Sequence, residues 1–213
     1  MRKLCLVVST LVLGSASGLQ AGAIVVASDL GAGNSFQTGT SNSWATGDGS
    51  NSANAVSFVV PSGNYQLSQI LVADNWYGGA GSLVVGIYSG STPNSASLLE
   101  SFTIPTSATT QFASTLFTLT SVLQPVLLGG QSYLIEESIP TCGVASSCSN
   151  TWGWQWNDQS QNGFFSDFAG GAWITQTSVT PAFAVSATPV PEPNYVGALF
   201  MLAAIFARIR KIA

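Results

Sequence analysis

The stretch LSQILVADNWYGGAGSLVVGIYSGSTPNSASLLESFTI, residues 67–104, alternates three apolar runs with two turn-forming segments. The runs, at residues 67–73, 83–88 and 98–104, are rich in Val, Ile, Leu and aromatic residues, which are common in β-strands. The segments between them, 78–81 and 89–93, are rich in Gly, Ser and Pro, which favour turns. No sustained 3.6-residue apolar period indicates a helix here. The stretch therefore predicts three β-strands separated by short connections.

The same alternation of apolar runs and turn-forming residues continues on both sides of this stretch. Six further apolar runs lie at residues 55–60, 115–120, 132–137, 151–156, 172–175 and 182–186. Short strands at such spacing are typical of antiparallel sandwiches. We predict an all-β domain over residues 24–187, an antiparallel β-sandwich with jelly-roll-like connections. The polar residues 34–54 predict a long loop or irregular segment.

The distribution of charge is unusual. Charged residues make up 7% of the chain, against roughly 25% in an average soluble protein. Nine carboxylates lie between residues 24 and 193, and no Lys, Arg or His does. This segment therefore carries a charge of about −9 at neutral pH with reference pKa values. Because it has no cation to neutralise phosphates, we predict that nucleic acid is not a partner.

The missing cations also restrict the chemistry of the domain. Without His or Lys, it cannot build a Ser-His-Asp triad or a Schiff base, which leaves carboxylate chemistry and oxygen-ligand calcium sites. Glu136 and Glu137 would point to opposite faces of a strand and so would not form a catalytic pair. Asp48 lies in a loose calcium-loop pattern that lacks acidic density, which favours a solvated loop. We predict no catalytic residue, no metal and no cofactor.

The N-terminus has the three parts of a secretory signal. Arg2 and Lys3 precede the apolar residues 4–13, and the small residues Ala21 and Ala23 follow. This order is typical of a signal peptide, and the apolar run is too short to span a membrane. We predict that residues 1–23 are removed by signal peptidase and that the mature protein is exported.

The C-terminus pairs a proline-rich stalk with an apolar run and a basic end. Residues 195–207 contain no charge and would form a short membrane helix of about 20 Å. The prolines and the cations that flank it are Pro189, Pro191, Pro193, Arg208, Arg210 and Lys211. Prolines at this spacing favour an extended stalk, and basic residues beside a membrane segment stay on the cytoplasmic side. We predict that the tail holds the unprocessed chain at the inner membrane.

This ending, residues 188–213, resembles the PEP-CTERM sorting signal of Gram-negative bacteria. The resemblance rests on Val190, Pro191, Glu192 and Pro193, on the short apolar segment after them, and on the terminal Arg-Ile-Arg-Lys cluster. It implies recognition by an exosortase, which would remove the tail near the Pro-Glu-Pro motif. It also implies a final location at the cell surface or outside the cell, in an exopolysaccharide, biofilm or floc context.

Part of the body is similar to the choice-of-anchor domains of exported bacterial proteins. The similarity lies in GIYSGSTPNSASLLESF, residues 86–102, where a strand, a turn with proline and a Leu-Leu strand follow one another. A Trp-rich strand follows later in that family, as at residues 151–156 here. This resemblance implies a sandwich fold and brings no catalytic residues.

Cys142 and Cys148 enclose a five-residue segment in a chain predicted to be exported. Disulfides form and persist in oxidising compartments, and this spacing is not that of a redox C-x-x-C pair. We therefore predict a structural disulfide between them, which stabilises the fold by roughly 2–3 kcal/mol.

Trp152, Trp154 and Trp156 alternate along one predicted strand, so their indoles would share one face. Two interpretations stay open. Buried, they form part of the core; exposed, they form a flat platform suited to stacking on sugar rings. The buried arrangement is expected of a non-catalytic surface or extracellular-matrix protein, which we expect here. The exposed arrangement is expected of a carbohydrate-binding module.

Overall fold

The structure is a computed structural model that describes residues 22–39, 41–45, 53–139, 151–169 and 172–191. These residues form thirteen β-strands and two short 3₁₀ helices, Pro93–Ser95 and Thr106–Ala108. In chain order the strands are β1 (Ile24–Ser28), β2 (Ser41–Ala45), β3 (Ala53–Val59), β4 (Tyr65–Gly78), β5 (Ser82–Ser89), β6 (Ser97–Pro105), β7 (Ser114–Thr120), β8 (Val126–Leu127), β9 (Ser132–Ser138), β10 (Thr151–Gln155), β11 (Asn162–Ala169), β12 (Ala172–Val179) and β13 (Phe183–Pro189). All pairings between them are antiparallel. The predicted all-β, antiparallel architecture is confirmed.

Each of the nine predicted runs overlaps a strand, but four strands were not predicted. These are β1, β2, β8 and β11. The predicted loop over residues 34–54 is wrong at its centre, because β2 forms there and pairs with β10, with Trp44 opposite Trp152. Polar residues such as Ser41 and Asn42 adopt a strand because a neighbouring strand satisfies their backbone groups, a long-range effect that local composition does not contain.

The long strand β4 organises the first sheet by pairing along both of its edges. On one edge, β13 pairs with residues up to Val72 and β10 pairs from Asp74 onward. On the other edge lie β7 and β8. β1 extends the sheet beyond β13, and β2 extends it beyond β10, which makes seven strands.

The second sheet has six strands in the order β12-β11-β3-β9-β5-β6. β4 and β5 are consecutive in the chain but belong to different sheets, so the connection between them crosses the sandwich. Gly78, Gly79 and Gly81 have φ values of 150°, 91° and 130° in this connection. Such values are strained for residues with a Cβ, so the glycines allow the sharp turn between sheets.

The main core lies between the inner faces of the two sheets. Leu67, Ile70 and Val72 of β4 face Leu83, Val85 and Ile87 of β5 and their neighbours, and all six are 0% exposed. Burial of each such side chain contributes about 1.5–3 kcal/mol. The aromatic members that complete this core are Phe58, Tyr133, Trp152, Trp154 and Phe183.

A smaller core covers the outer face of the first sheet. Leu71, Ala73 and Ala184 point away from the sandwich interior and contact Leu30 and Phe36 from the segment after β1. This segment therefore shields one outer sheet face from water. The described residues of the segment after β1 do not cover the outer face of the second sheet.

The first and last strands of the domain are neighbours. Ile24 lies opposite Ala187, so β1 begins close to the end of β13. Pro189, which we had placed in the stalk, is the last residue of β13 and lies opposite Tyr65. A proline is accepted there because it ends the strand. No helix within the described ranges is long and apolar enough to span a membrane, and the predicted membrane helix at 195–207 lies outside those ranges.

Candidate functional site

Two of the three alternating tryptophans lie in the core. Trp152 and Trp154 of β10 are both 0% exposed, and the Trp154 Nε1 donates a hydrogen bond to the Ala182 carbonyl oxygen at 3.1 Å. From these positions neither indole can stack on a sugar ring. The interpretation as an exposed carbohydrate platform is therefore wrong for this pair, because the β10 face that carries them packs against the second sheet.

Trp156 follows the end of β10 and has a different environment. It is half-buried, it forms an isolated bridge with Pro181, and its ring contacts Phe165 edge-on at 5.5 Å between centroids. Its indole packs within the domain and does not extend a flat surface. The three tryptophans are thus packing residues and do not together form a binding face.

Glu136 and Glu137 point to opposite faces of β9, as predicted. Glu136 lies on the outer face, where the Tyr88 hydroxyl donates a hydrogen bond to its Oε1 at 3.4 Å. Burial raises the pKa of Tyr88 to about 12, and the neighbouring Glu136 charge and hydrogen bond act in the same direction. The Tyr88 ring lies over Gly86, where a Cβ would come within 2.5 Å of it. Glu137 faces the interior and is 0% exposed.

Glu137 meets Asp74 across the interior of the sandwich. Asp74 is on β4 between Thr115 of β7 and Trp154 of β10, and cross-strand neighbours share a sheet face. Asp74 is also 0% exposed. Each carboxyl group influences the pKa of the other, and without a proton shared between them none of their four oxygens has a hydrogen-bond partner among the described residues. We call these two residues the carboxyl pair.

Burial controls the protonation of the carboxyl pair. It raises the pKa of Asp74 to about 8, although the hydrogen bond from Glu137 acts in the opposite direction. Burial also raises the pKa of Glu137 well above its ordinary value, and the Asp74 charge and hydrogen bond raise it further. The pair therefore keeps at least one proton at neutral pH. The charge of about −9 predicted from reference pKa values is too negative by at least this one proton.

No cation within the domain can neutralise the carboxyl pair, because no Lys, Arg or His lies between residues 4 and 207. A proton or an ion from solution must do so. Among the residues that the structure describes, no group of three or more His, Cys, Asp and Glu could hold a metal ion. The pair is also sealed from solvent, so a substrate cannot reach it in this arrangement.

Glu100 is the other buried carboxyl group with a defined set of partners. Its Oε2 accepts a hydrogen bond from the Ser121 Oγ at 2.5 Å, and its Oε1 accepts from the Val122 and Leu123 backbone N–H groups at 2.7 and 3.1 Å. Burial raises the pKa of Glu100, but these three hydrogen bonds together outweigh it and leave the pKa below its ordinary value. Glu100 therefore stays ionised and fixes the turn after β7.

Asp29 and Asp158 each accept hydrogen bonds from neighbouring side chains. The Thr180 Oγ1 donates to the Asp29 Oδ2 at 2.5 Å and so connects the end of β1 to the segment before β13. Burial raises the pKa of Asp29, and this hydrogen bond lowers it. Asp158 accepts hydrogen bonds from Gln159 and Ser35, which lower its pKa. Neither carboxylate is paired with a second one, as carboxylate catalysis would require.

The outer face of the second sheet carries a cavity of about 660 Å³. It crosses β12, β11, β3 and β9 at the place where β11 and β3 diverge. Pairing between these two strands begins only at Phe165 and Val56, so residues 162–164 of β11 and 57–59 of β3 separate and open the cavity. A second cavity of about 520 Å³ borders it, and the two share Ser91 and Ser132. We call the two cavities together the outer groove.

Side-chain hydroxyls line much of the larger cavity, and no charged side chain does so. The hydroxyl-bearing residues are Ser57, Ser91, Thr92, Ser132, Ser166 and Thr175. Ala55 and Leu134 form its small apolar floor, at 1% and 2% exposed. Such an arrangement offers hydrogen-bond donors and acceptors above an apolar base, without a group for acid–base catalysis.

Two residues of the predicted sorting motif lie within the described part of the chain. Val190 and Pro191 are exposed directly after β13, and the Val190 N–H donates to the Asn64 carbonyl oxygen at 2.8 Å. The remaining predicted residues lie outside the described ranges and stay predictions: Glu192, Pro193, Arg208, Arg210, Lys211, Cys142, Cys148 and Asp48.

Sequence reasoning missed both the carboxyl pair and the outer groove. The predicted strand ended at Ala73, one residue before Asp74. A continued two-residue alternation from Ile70 and Val72 would have placed Asp74 inward, which was the available signal. The groove had no comparable signal, because it depends on where β3 and β11 separate.

Comparison with known proteins shows little similarity. No protein-family model and no curated protein matches the sequence. One similar solved structure contains the cysteine protease and lectin-like domains of Cwp84, a surface layer associated protein of Clostridium difficile. It is 8% identical, with a TM-score of 0.44 over 66% of this chain and 32% of that chain. Another is the clostridial cysteine protease Cwp84 after propeptide cleavage, at 8% identity and a TM-score of 0.45 over 70% of this chain and 38% of that chain. The match thus spans about a third of the length of each neighbour.

Proposed function

We propose that this chain is a non-catalytic, exported surface or extracellular-matrix protein of a Gram-negative bacterium. Its jelly-roll-like sandwich would be delivered through a PEP-CTERM tail. The observation that carries the proposal is the end of the fold: β13 ends at Pro189, and Val190 and Pro191 are exposed immediately after it. A processing enzyme can reach a motif that begins where the packed domain ends.

The two ends of the chain would act in sequence. Signal peptidase removes residues 1–23 during export, and the apolar helix at 195–207 with its basic end keeps the chain at the inner membrane. An exosortase then cuts near Pro191, and the domain passes to the surface or to the exopolysaccharide of a biofilm. The pairing of β1 with β13 places the start of β1 beside the end of β13, so both processed segments would leave the same end of the domain.

The environment of the carboxylates supports a non-catalytic body. Among the carboxyl groups that the structure describes, Asp74 and Glu137 are brought together, and both are sealed from solvent. A glycosidase needs two accessible carboxyl groups on either side of its substrate. Glu100 is held by Ser121 and two backbone N–H groups, so its oxygens are already occupied.

The tail proposal is tested by changing Glu192 and Pro193 of the motif. In a host with an exosortase, the double variant Glu192→Ala and Pro193→Ala should keep its tail, migrate at higher mass and stay in the membrane fraction. Asn194→Ala, just outside the motif, is the matched control and should be processed like the wild type. Equal tail removal in the double variant and the wild type would refute the proposed sorting.

A further inference from the structure

The outer groove differs from the rest of the surface in its shape and its chemistry. Its two cavities, of about 660 and 520 Å³, both border Ser91 and Ser132 and so lie side by side at the end of the second sheet. Small molecules occupy pockets of about 300–1,000 Å³. Two neighbouring cavities of this size can take more than one sugar ring, which suits a segment of an extended polymer.

The groove lining selects for a polyhydroxylated ligand. Ser57, Ser132 and Thr175 present hydroxyls from three different strands, and each hydroxyl can both donate and accept a hydrogen bond. Val59, which is 60% exposed, supplies accessible apolar surface in the same lining. Sugar rings combine hydroxyls at their edges with apolar C–H faces, which matches these two kinds of surface.

An aromatic pair extends the same face. Phe168 and Trp173 are opposite each other on β11 and β12, with ring centroids 5.4 Å apart. They occupy the row next to Ser166 and Thr175, roughly 6–7 Å along the strands. Because side chains two residues apart share a face, these half-buried rings border the groove on its own side of the sheet.

The charge of the domain excludes an anionic polymer. No Lys, Arg or His lies between residues 4 and 207, so no cation can bind a sulfate, phosphate or uronate group. The acidic side chain nearest along the same face is Glu136, whose backbone lies opposite Ala55. A negative charge beside the groove repels anionic ligands and leaves neutral ones unaffected.

We propose that the outer groove binds a segment of a neutral polysaccharide chain, held by the hydroxyls of the second sheet and bordered by Phe168 and Trp173. This site is separate from the tryptophans of β10. The proposal deepens the proposed function by naming a ligand for the body, and it rests on that function only for the source of the polysaccharide.

The test uses the full-length chain, purified in a detergent without a sugar headgroup, so its outcome is independent of tail processing. Native gels containing dextran or hydroxyethyl cellulose, both neutral, are compared with gels containing anionic alginate. The wild type should be retarded by at least one neutral polymer and not by alginate. Ser57→Leu and Ser132→Leu should weaken that binding about tenfold each, since each removes a hydroxyl and fills the groove.

Thr103→Leu is the matched control, because Thr103 is exposed on the same outer face, on the edge strand β6, outside the groove. It should bind like the wild type, and urea midpoints confirm that all three variants are folded. The proposal is overturned if no neutral polymer retards the wild type, or if retardation survives both groove substitutions. Retardation by alginate alone, or groove-dependent capture of extended peptides without binding to either neutral polymer, also overturns it.

Discussion

Glu100 and the carboxyl pair are both buried in a domain without cations, yet their protonation is opposite. Glu100 accepts three hydrogen bonds and stays ionised, with a lowered pKa. Asp74 and Glu137 have only each other and keep a proton, with raised pKa values. The difference shows that the supply of donors, more than burial itself, decides which form of a carboxyl group the interior accepts.

The largest expected effect is on the pH dependence of folding stability, which tests whether the carboxyl pair is protonated in the folded state. A raised folded-state pKa favours folding while the group is protonated, so stability should fall as the pH rises from about 4 to about 8. One retained proton corresponds to about 1.4 kcal/mol per pH unit, so the loss of stability across this window should amount to several kcal/mol. Urea unfolding at a series of pH values measures it.

The variant Asp74→Asn with Glu137→Gln is the comparison for this experiment. It replaces both acids with neutral amides of similar shape, so its stability should depend much less on pH. Asp29 and Glu136 also have raised pKa values and contribute the same sign in both proteins. Equal pH slopes in the two proteins would mean that the carboxyl pair is not protonated in the folded state.

The second prediction concerns the other side of the comparison. Glu100→Ala should lower the free energy of unfolding by about 2–3 kcal/mol at neutral pH, because two backbone N–H groups and Ser121 lose their acceptor. Glu136→Ala on the outer face is the control and should have a smaller effect. Chemical denaturation of both variants and the wild type measures the two losses in the free energy of unfolding.

The pH dependence of Glu100 has the opposite sign. Its pKa is lowered, so its stabilising effect is complete above its ordinary pKa of 4.5 and is lost as the pH falls through the lowered value. Glu100→Gln and the wild type should therefore approach each other in stability in acid. A constant difference between them down to about pH 2 would contradict the assigned hydrogen bonds.

The third prediction separates a shared proton from mere burial. Glu137→Gln keeps an N–H donor for Asp74, so its stability at neutral pH should be within about 1 kcal/mol of the wild type. At a pH high enough to remove the last proton from the pair, Glu137→Gln should be the more stable protein, since the wild type then has two buried negative charges. If the wild type stays the more stable protein at every pH up to alkaline unfolding, the pair does not share a proton.

The smallest effect is expected at the outer face. Tyr88→Phe removes a long hydrogen bond to Glu136, of 3.4 Å, and should cost about 0.5 kcal/mol or less. Absorbance titration provides a clearer readout, because the wild type should contain one phenol with a pKa of about 12. Loss of a different, earlier phenol transition in the variant would show that Tyr88 is not the shifted group.

The sequence predicted the parts of this fold that depend on local pattern. Alternating apolar residues located nine strands, and adjacency alone placed Glu136 and Glu137 on opposite faces. The sequence pattern could not place Asp74 against Glu137. The two residues lie on different sheets, and their contact depends on how β4 and β9 face each other. The burial of Trp152 and Trp154 was one of two open interpretations, since an alternating pattern does not tell which face of a strand is covered.

β2 and the outer groove were beyond prediction for a related reason. β2 consists of Ser41, Asn42 and other residues with little preference for strands, and forms by pairing with β10. The groove opens because β11 leaves β3 after Val56 and continues with β12 alone. Both features come from pairing between segments far apart in the chain.

The position of β13 has a mechanical consequence for a protein tethered by its C-terminus. β13 lies between β1 and β4, with seven residue pairs to β4 that end at Pro189. A pull on the tail loads these hydrogen bonds along the strand direction, all at once, in shear. An edge strand pulled from its end would open one bond at a time like a zipper. A C-terminal tether would thus be attached to a strand that is paired on both sides, and a domain held in flowing water would transmit drag through its interior strand.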